Sequence, residues 1–152
     1  MESLEQYFKT RASQDVKKRV AAVFVLAEDA NVLGYYTLSS YAIEPGALPP
    51  DLARRFPSYP KLPAVLIGRL ARDQKYKGQG IGELLLVDAL RRCLENSATV
   101  RAIAVIVEAE NEKARNFYLG YGFIQFPDHE NKLFILMGTI RQTLSDHAGR
   151  NE

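Results

Sequence analysis

Apolar side chains in this chain follow two rhythms. Through residues 4–18, Leu4, Tyr7, Phe8, Ala12 and Val16 approximate a helical stripe, and Ser3 with Gln6 three residues on forms a capping pair, so the pattern predicts a helix. Val20–Ala27 is a β-branched apolar run. Glu28–Asn31 reads as a turn and Val32–Ile43 as a second strand, and together these predict a β-hairpin. Residues 44–63 hold six of the seven prolines, which predicts a long connection with a helical turn at Leu52–Phe56. Beyond it the rhythm changes. Ala64–Ala71 reads as a strand and a glycine-rich turn follows. Ile81–Leu94 reads as a helix with Ile81, Leu84, Leu85, Leu86, Val87 and Leu90 on its apolar side. Val100–Val107 is a buried-type strand, Asn111–Gly120 a short helix, Lys132–Ile140 a closing strand, and Ser145–Glu152 a polar, frayed tail. There is no repeat, low-complexity tract or linker, so residues 1–152 are expected to form a single domain. The order helix, hairpin, strand–helix–strand–helix–strand implies an α/β (α+β) fold with a mixed sheet of about five or six strands. Its strand–helix–strand unit at 64–107 should be a right-handed parallel crossover.

Composition narrows the class without naming a function. Hydrophobic residues make up 47% and charged residues 25%, the balance of a soluble globular chain. No apolar run reaches the roughly 18 residues of a membrane span, and Met1–Glu5 lacks the basic and apolar regions of a secretory signal. The one cysteine, Cys93, sits in an apolar helical pattern and reads as a buried, inert thiol. A cytoplasmic location fits, and no metal-ligand set is expected. The net charge of +2 is too small to argue for nucleic acid by itself. Basic residues nevertheless cluster at Lys17-Lys18-Arg19, Arg54-Arg55, Arg69 with Arg72, Lys75 and Lys77, and Arg91-Arg92. Each cluster reads either as a solvated face or as a phosphate-binding patch.

The candidate chemistry starts at Lys77-Gly78-Gln79-Gly80-Ile81-Gly82, which lies between a strand and a helix. Alternate glycines permit positive φ and let backbone N–H groups approach a ligand. The first N–H groups of the following helix have no intrahelical partner, and the helix dipole favours an anion there. Lys77 adds charge at the mouth, and a pyrophosphate is the natural occupant. A Walker loop is excluded because no Lys-Ser/Thr follows the glycines. A dinucleotide fingerprint has a different spacing and opens repeated βαβ units. The loop alone leaves a CoA site, a dinucleotide site and a purely structural turn open.

A second cluster, Asn111 to Phe123, follows the next strand. Taken together, Lys77–Gly82 and the set Asn111, Ala114, Tyr118, Gly122 and Phe123 resemble the GNAT acetyltransferase superfamily, matching Arg/Gln-x-x-Gly-x-Gly/Ala and Asn-x-x-Ala-x-x-x-Tyr-x-x-x-Gly-Phe. Leu66–Ala71, Phe117-Tyr118, Leu33–Ser40 and the proline-rich loop are similar to GNAT toxins of bacterial toxin–antitoxin pairs, from about Leu4 to Ile140. The resemblance implies a mostly antiparallel twisted sheet with flanking helices and a central parallel β-α-β cofactor unit. It also implies acetyl-CoA as cofactor and the α-amine of aminoacyl-tRNA as acceptor. The implied partners are a ribbon-helix-helix antitoxin and a second copy in a homodimer, without a membrane, in the bacterial cytoplasm. Acetylation of a small amine or a protein N-terminus, and a non-catalytic CoA-binding module, are the alternatives. Lys77 departs from the usual Arg or Gln, keeping a donor but losing a planar group. The chain also begins at its first helix, where family members have a short strand, so either the start is displaced or that sheet edge is missing.

The resemblance gives roles to residues that the pattern leaves ambiguous. Helical spacing alone would make Tyr118 a core ring like Phe117 and Phe123. Its motif position implies the acid that protonates the leaving thiolate. Leu70, Ala71 and Arg72 are implied to hold the pantetheine arm through backbone groups, and Asn111 and Phe117 to lie near the cofactor. Asn111 also suits a helix cap. Lys17, Lys18, Arg19, Arg69, Arg72 and Lys75 are candidates for tRNA phosphates. His129 and His147 lie outside both motifs, and Glu108 and Glu110 read as strand-end carboxylates or a water-mediated base. A free α-amine, with pKa about 7.7–8.0, is partly neutral at neutral pH and needs little activation.

Overall fold

The computed structural model describes residues 21–150. The helix expected at 4–18, residue Val20 and the Lys17-Lys18-Arg19 cluster lie outside them. Six strands form one sheet: β1 (Ala22–Glu28), β2 (Asn31–Ile43), β3 (Leu62–Arg72), β4 (Ala104–Glu108), β5 (Ile124–Phe126) and β6 (His129–Leu136), in the order β1-β2-β3-β4-β6-β5. The sheet is mostly antiparallel with a parallel β3–β4 pair, as expected. The helices are α1 (Pro50–Ala53), α2 (Ile81–Val100), α3 (Glu112–Gly120) and α4 (Met137–Arg150), with 3-10 turns at Pro45–Ala47 and Gln74–Tyr76. The chain divides into two compact units: residues up to Ser39 with Ile67–Leu90, and Ser40–Leu66 with Arg91 onward.

In the first unit the hairpin closes more tightly than the four-residue turn expected. Glu28 pairs with Asn31, leaving only Asp29 and Ala30, and Asp29 adopts φ 55, a left-handed value that its short polar side chain tolerates. Tyr35 is buried against Val23, Val32 and Ala71. On α2, Ile81, Leu85, Leu86, Ala89 and Leu90 are buried. Leu84, placed on the apolar side by sequence, is 54% exposed instead, because its neighbours at 81, 85 and 89 already define the inward stripe. The Tyr36 hydroxyl donates to Asp88 at 2.5 Å, tying β2 to that helix.

The second unit has its core on Ile43, Leu48, Leu62, Ala64, Ala104, Ile106, Phe126 and Phe134. Each large apolar side chain here contributes about 1.5–3 kcal/mol by leaving water. The helical turn expected at Leu52–Phe56 forms two residues earlier as α1. Proline at the first helical position loses no hydrogen bond, and Arg54 N–H closes the turn on Pro50 O at 3.2 Å. Strand β3 begins at Leu62 and includes Pro63, whose carbonyl accepts from Ile103 N–H at 2.9 Å.

Two boundaries move further. Helix α2 continues to Val100, so the strand expected from Val100 begins at Ala104. Neither glycine nor proline interrupts residues 83–100, and Arg101 ends the helix at φ 57 with its N–H on Ser97 O at 2.7 Å. The closing strand stops at Leu136, and residues 137–150 are helix rather than strand and frayed tail. The apolar run through Ile140 hides the change of period: Met137 and Ile140 are buried one helical turn apart. Sequence also missed β5, a strand of only three residues.

Gly34 supplies a stability test in the first unit. A Cβ there would lie 2.7 Å from Leu85 Cδ1 and 2.8 Å from Ala71 O, and the carbonyl cannot swing away as a side chain can. Gly34→Ala should lower stability by about 1–3 kcal/mol, read as a lower urea midpoint. Gly46→Ala, with nothing within 4 Å of the added carbon, should stay within about 0.5 kcal/mol of wild type.

Candidate functional site

The glycine loop is built by the first unit. Strand β3 carries an irregularity just before it. The Cβ direction at Gly68 meets Thr37, and Ala71, three residues on, packs on Tyr35 of the same strand face. A period of two does not allow that, so one residue is extra between them. The Arg69 N–H bonds to Thr37 Oγ1 at 3.0 Å. Sequence did not locate this bulge, although a glycine inside a strand pattern is its signal. Leu70, Ala71 and Arg72 follow it and are all half-buried.

Asp73 then fixes the turn. Its N–H donates to Leu33 O at 2.9 Å, and its carboxylate accepts from Lys75 N–H at 3.0 Å. Gly78 and Gly80 take φ 82 and 75, values that penalise any side chain. The first helical bond of α2 is Leu84 N–H to Gly80 O at 3.1 Å, so the N–H groups of Ile81, Gly82 and Glu83 precede the helical ladder. Ile81 is buried and anchors the helix start, while Lys77, Gly78, Gln79 and Gly80 are exposed. No atom lies within 4 Å of a Cβ built at Gly78, Gly80 or Gly82. The result is an open row of backbone donors at the positive end of a 20-residue helix. Arg72 Nη1 is the one buried side-chain nitrogen or oxygen without a hydrogen bond among the described residues. A buried cationic nitrogen without an acceptor is unfavourable, and an anion would satisfy it. These features fit a phosphate-bearing ligand.

Tyr118 belongs to the second unit. Asn111 caps α3, its Oδ1 accepting from Ala114 N–H at 2.8 Å, as one of its two expected roles requires. The helix ends with Gly122 at φ 94 and with Tyr121 and Phe123 N–H groups on Tyr118 O, at 3.0 and 3.3 Å. Tyr118 is 8% exposed, with its ring 5.4 Å from Phe117 and 5.3 Å from Phe123. It is therefore a core ring, as helical spacing alone suggested. Burial and then the Glu110 charge push its phenol up to about 12. At neutral pH it holds its proton, which suits a donor and excludes a resting phenolate base.

Other titratable groups separate clearly. Cys93 is buried and its thiol is pushed up to about 11, chiefly by desolvation, so it is the inert thiol expected. Arg69 is half-buried and Lys75 exposed. Glu108 and Glu110 are exposed. His129 lines a cavity of about 280 Å³ together with Tyr41, Glu44, Phe126 and Lys132, a grouping that long-range contacts create and sequence did not reveal. No helix among the described residues is long and apolar enough to cross a membrane.

The raised Tyr118 phenol has a signed consequence. Folding favours the neutral form, so this contribution is complete below pH 10 and is lost as pH rises from 10 through about 12. Urea midpoints should fall less steeply above pH 10 in Tyr118→Phe than in wild type. The absorbance of tyrosinate near 295 nm should lose the component that titrates at about 12 in the wild type.

Comparison with known proteins places these features in context. Residues 2–123 match the acetyltransferase (GNAT) family model. The tRNA-acetylating toxin of Mycobacterium tuberculosis is 32% identical over 144 residues, which cover 95% of this chain and 86% of that protein. The structure of AtaT complexed with acetyl-methionyl-tRNAfMet is 32% identical with a TM-score of 0.83, covering 93% of this chain and 85% of that one. A Tyr-to-Phe mutant of AtaT bound to the C-terminus of the antitoxin AtaR and acetyl-CoA gives 30% identity and a TM-score of 0.77, covering 95% and 85%.

Proposed function

This chain belongs to the acetyltransferase (GNAT) family, and from that premise we propose that it transfers acetyl from acetyl-CoA to the α-amino group of aminoacyl-tRNA as the toxin of a toxin–antitoxin pair. The observation that carries the acceptor is the likeness, over 95% of the chain, to a tRNA-acetylating toxin. The family match crosses both compact units and supports reading residues 1–152 as one acetyltransferase domain.

The open donor row gives the loop its role. The N–H groups of Ile81, Gly82 and Glu83 bind cofactor phosphates, helped by Lys77, Gln79 and the glycines at 78 and 80. Arg72 adds a guanidinium whose Nη1 has no hydrogen-bond partner. The bulged end of β3 leaves Leu70 and Ala71 to hold the pantetheine arm through backbone groups, with Asn111 and Phe117 beside the cofactor. Bound acetyl-CoA supplies an activated acetyl thioester. The neutral α-amine forms the new C–N bond as the C–S bond breaks, and its surplus proton passes to water. Tyr118 Oη gives its proton to the departing sulfur and regains one from solvent. Lys17, Lys18, Arg19, Arg69 and Lys75 contact tRNA phosphates, so affinity should weaken as salt rises. The partners are a ribbon-helix-helix antitoxin and a second copy in a homodimer, and the setting is the bacterial cytoplasm.

Labelled acetyl-CoA incubated with total charged tRNA should place label on the aminoacyl fraction and none on deacylated tRNA. Label confined to small amines or protein N-termini would sink the acceptor assignment. Tyr118→Phe should retain acetyl-CoA binding, lose growth inhibition, and reduce kcat by about 10²–10⁴-fold. Wild-type turnover in that variant would remove Tyr118 as the acid.

A further inference from the structure

Helix α3 has nine residues, below the roughly 12–15 that persist alone in water. Its orientation therefore depends on what fastens it. Asn111 caps one end, and Tyr118 lies near the other. Between them Arg115, three residues before Tyr118, reaches out of the helix to the β5–β6 hairpin. Its Nη1 donates to Asn131 Oδ1 at 3.0 Å and lies 2.9 Å from Glu130 Oε1. Asn131 also acts through its backbone: its carbonyl accepts from Ala109 N–H at 2.7 Å. One hairpin residue thus grips both ends of the segment 109–115, ahead of the helix at Ala109 and within it at Arg115.

The hairpin is a firm anchor. Gln125 Nε2 donates to Glu130 O at 2.8 Å, and Phe126 and Phe134 are buried with ring centroids 4.9 Å apart. The Arg115 side chain is only 17% exposed, whereas that of Glu130 is 74% exposed. Solvent screens so exposed a carboxylate, so the ion pair alone is weak. The directional bond to Asn131, from a guanidinium mostly out of water, is the stronger link.

We propose that Arg115 is a positioning residue for acetyl transfer, holding α3 through Asn131 and Glu130 in the orientation that presents the Tyr118 hydroxyl. The proposal rests on the reading of Tyr118 as the acid. Arg115 itself touches no reacting atom. Lysine at this position could reach one acceptor but not reproduce the planar fork.

The test compares Arg115→Met, Arg115→Lys, Asn131→Ala and the double variant Arg115→Met with Tyr118→Phe, using acetyl-CoA and charged tRNA. Arg115→Met should lower kcat about ten- to a hundred-fold with KM for acetyl-CoA unchanged. Arg115→Lys should recover part of the loss. The Tyr118 phenol, identified as the component absent from Tyr118→Phe, should titrate below the value of about 12 held in the wild type. Asn131→Ala, a change at an exposed residue, should reproduce both effects and keeps the test open if Arg115→Met does not fold. In the Tyr118→Phe background, Arg115→Met should cause no further loss of kcat. Unchanged kcat and titration in folded single variants, or multiplying losses in the double variant, overturns the proposal. Full activity of Tyr118→Phe alone overturns the acid reading instead, and the titration then decides separately whether Arg115 holds the helix.

Discussion

Strand β4 leaves no face to water, and the second unit is organised around that constraint. Residues Ala104 to Val107 are at most 1% exposed, although successive side chains of a strand point to opposite faces. Such a strand must lie inside its sheet, and β4 sits between β3 and β6. It allows little adjustment, so the chain leaves it at Glu108 in a fixed direction. Ala109 is bonded at once to the hairpin, Asn111 caps the next helix, and the ring of Tyr118 closes against Phe123. The position of one phenol is thus inherited from a buried strand through a short run of hydrogen bonds.

The two chemical elements differ in what they demand of sequence. On the proposed reading the loop works through backbone donors, whose supply depends on turn geometry and two left-handed glycines rather than on any particular charged side chain. That explains how Lys77 can stand where the family more often has Arg or Gln without spoiling the donor row. On the proposed reading Tyr118 works through a single side-chain proton, and its environment matters in detail. Burial keeps the proton in place, and Glu110 strengthens that effect.

Much of this was legible in the sequence where local pattern and fold agree. The hairpin, β3, the start of α2, and α3 with its Asn111 cap follow from alternation, glycine placement and capping chemistry. The errors fall where local signals conflict or vanish. Val100 is a good strand residue that terminates a helix, because the real stop is the left-handed Arg101. Met137 continues an apolar run whose period has already changed. Strand β5 is too short to show alternation at all. For the candidate site, the motifs singled out the loop and Tyr118. The bulge at Gly68–Ala71 and the bridge from Arg115 to Asn131 depend on a partner strand or hairpin, which no single stretch of chain encodes.

The brevity of β5 has a further effect on how copies of the chain meet. It is the terminal strand on one side of the sheet and offers only Ile124–Phe126. A ladder of three residues is a poor template for an incoming strand, and Pro127 follows immediately without an N–H to extend it. Growth of the sheet into a neighbouring molecule is disfavoured on that side. Strand-by-strand association between copies is thereby discouraged at that edge.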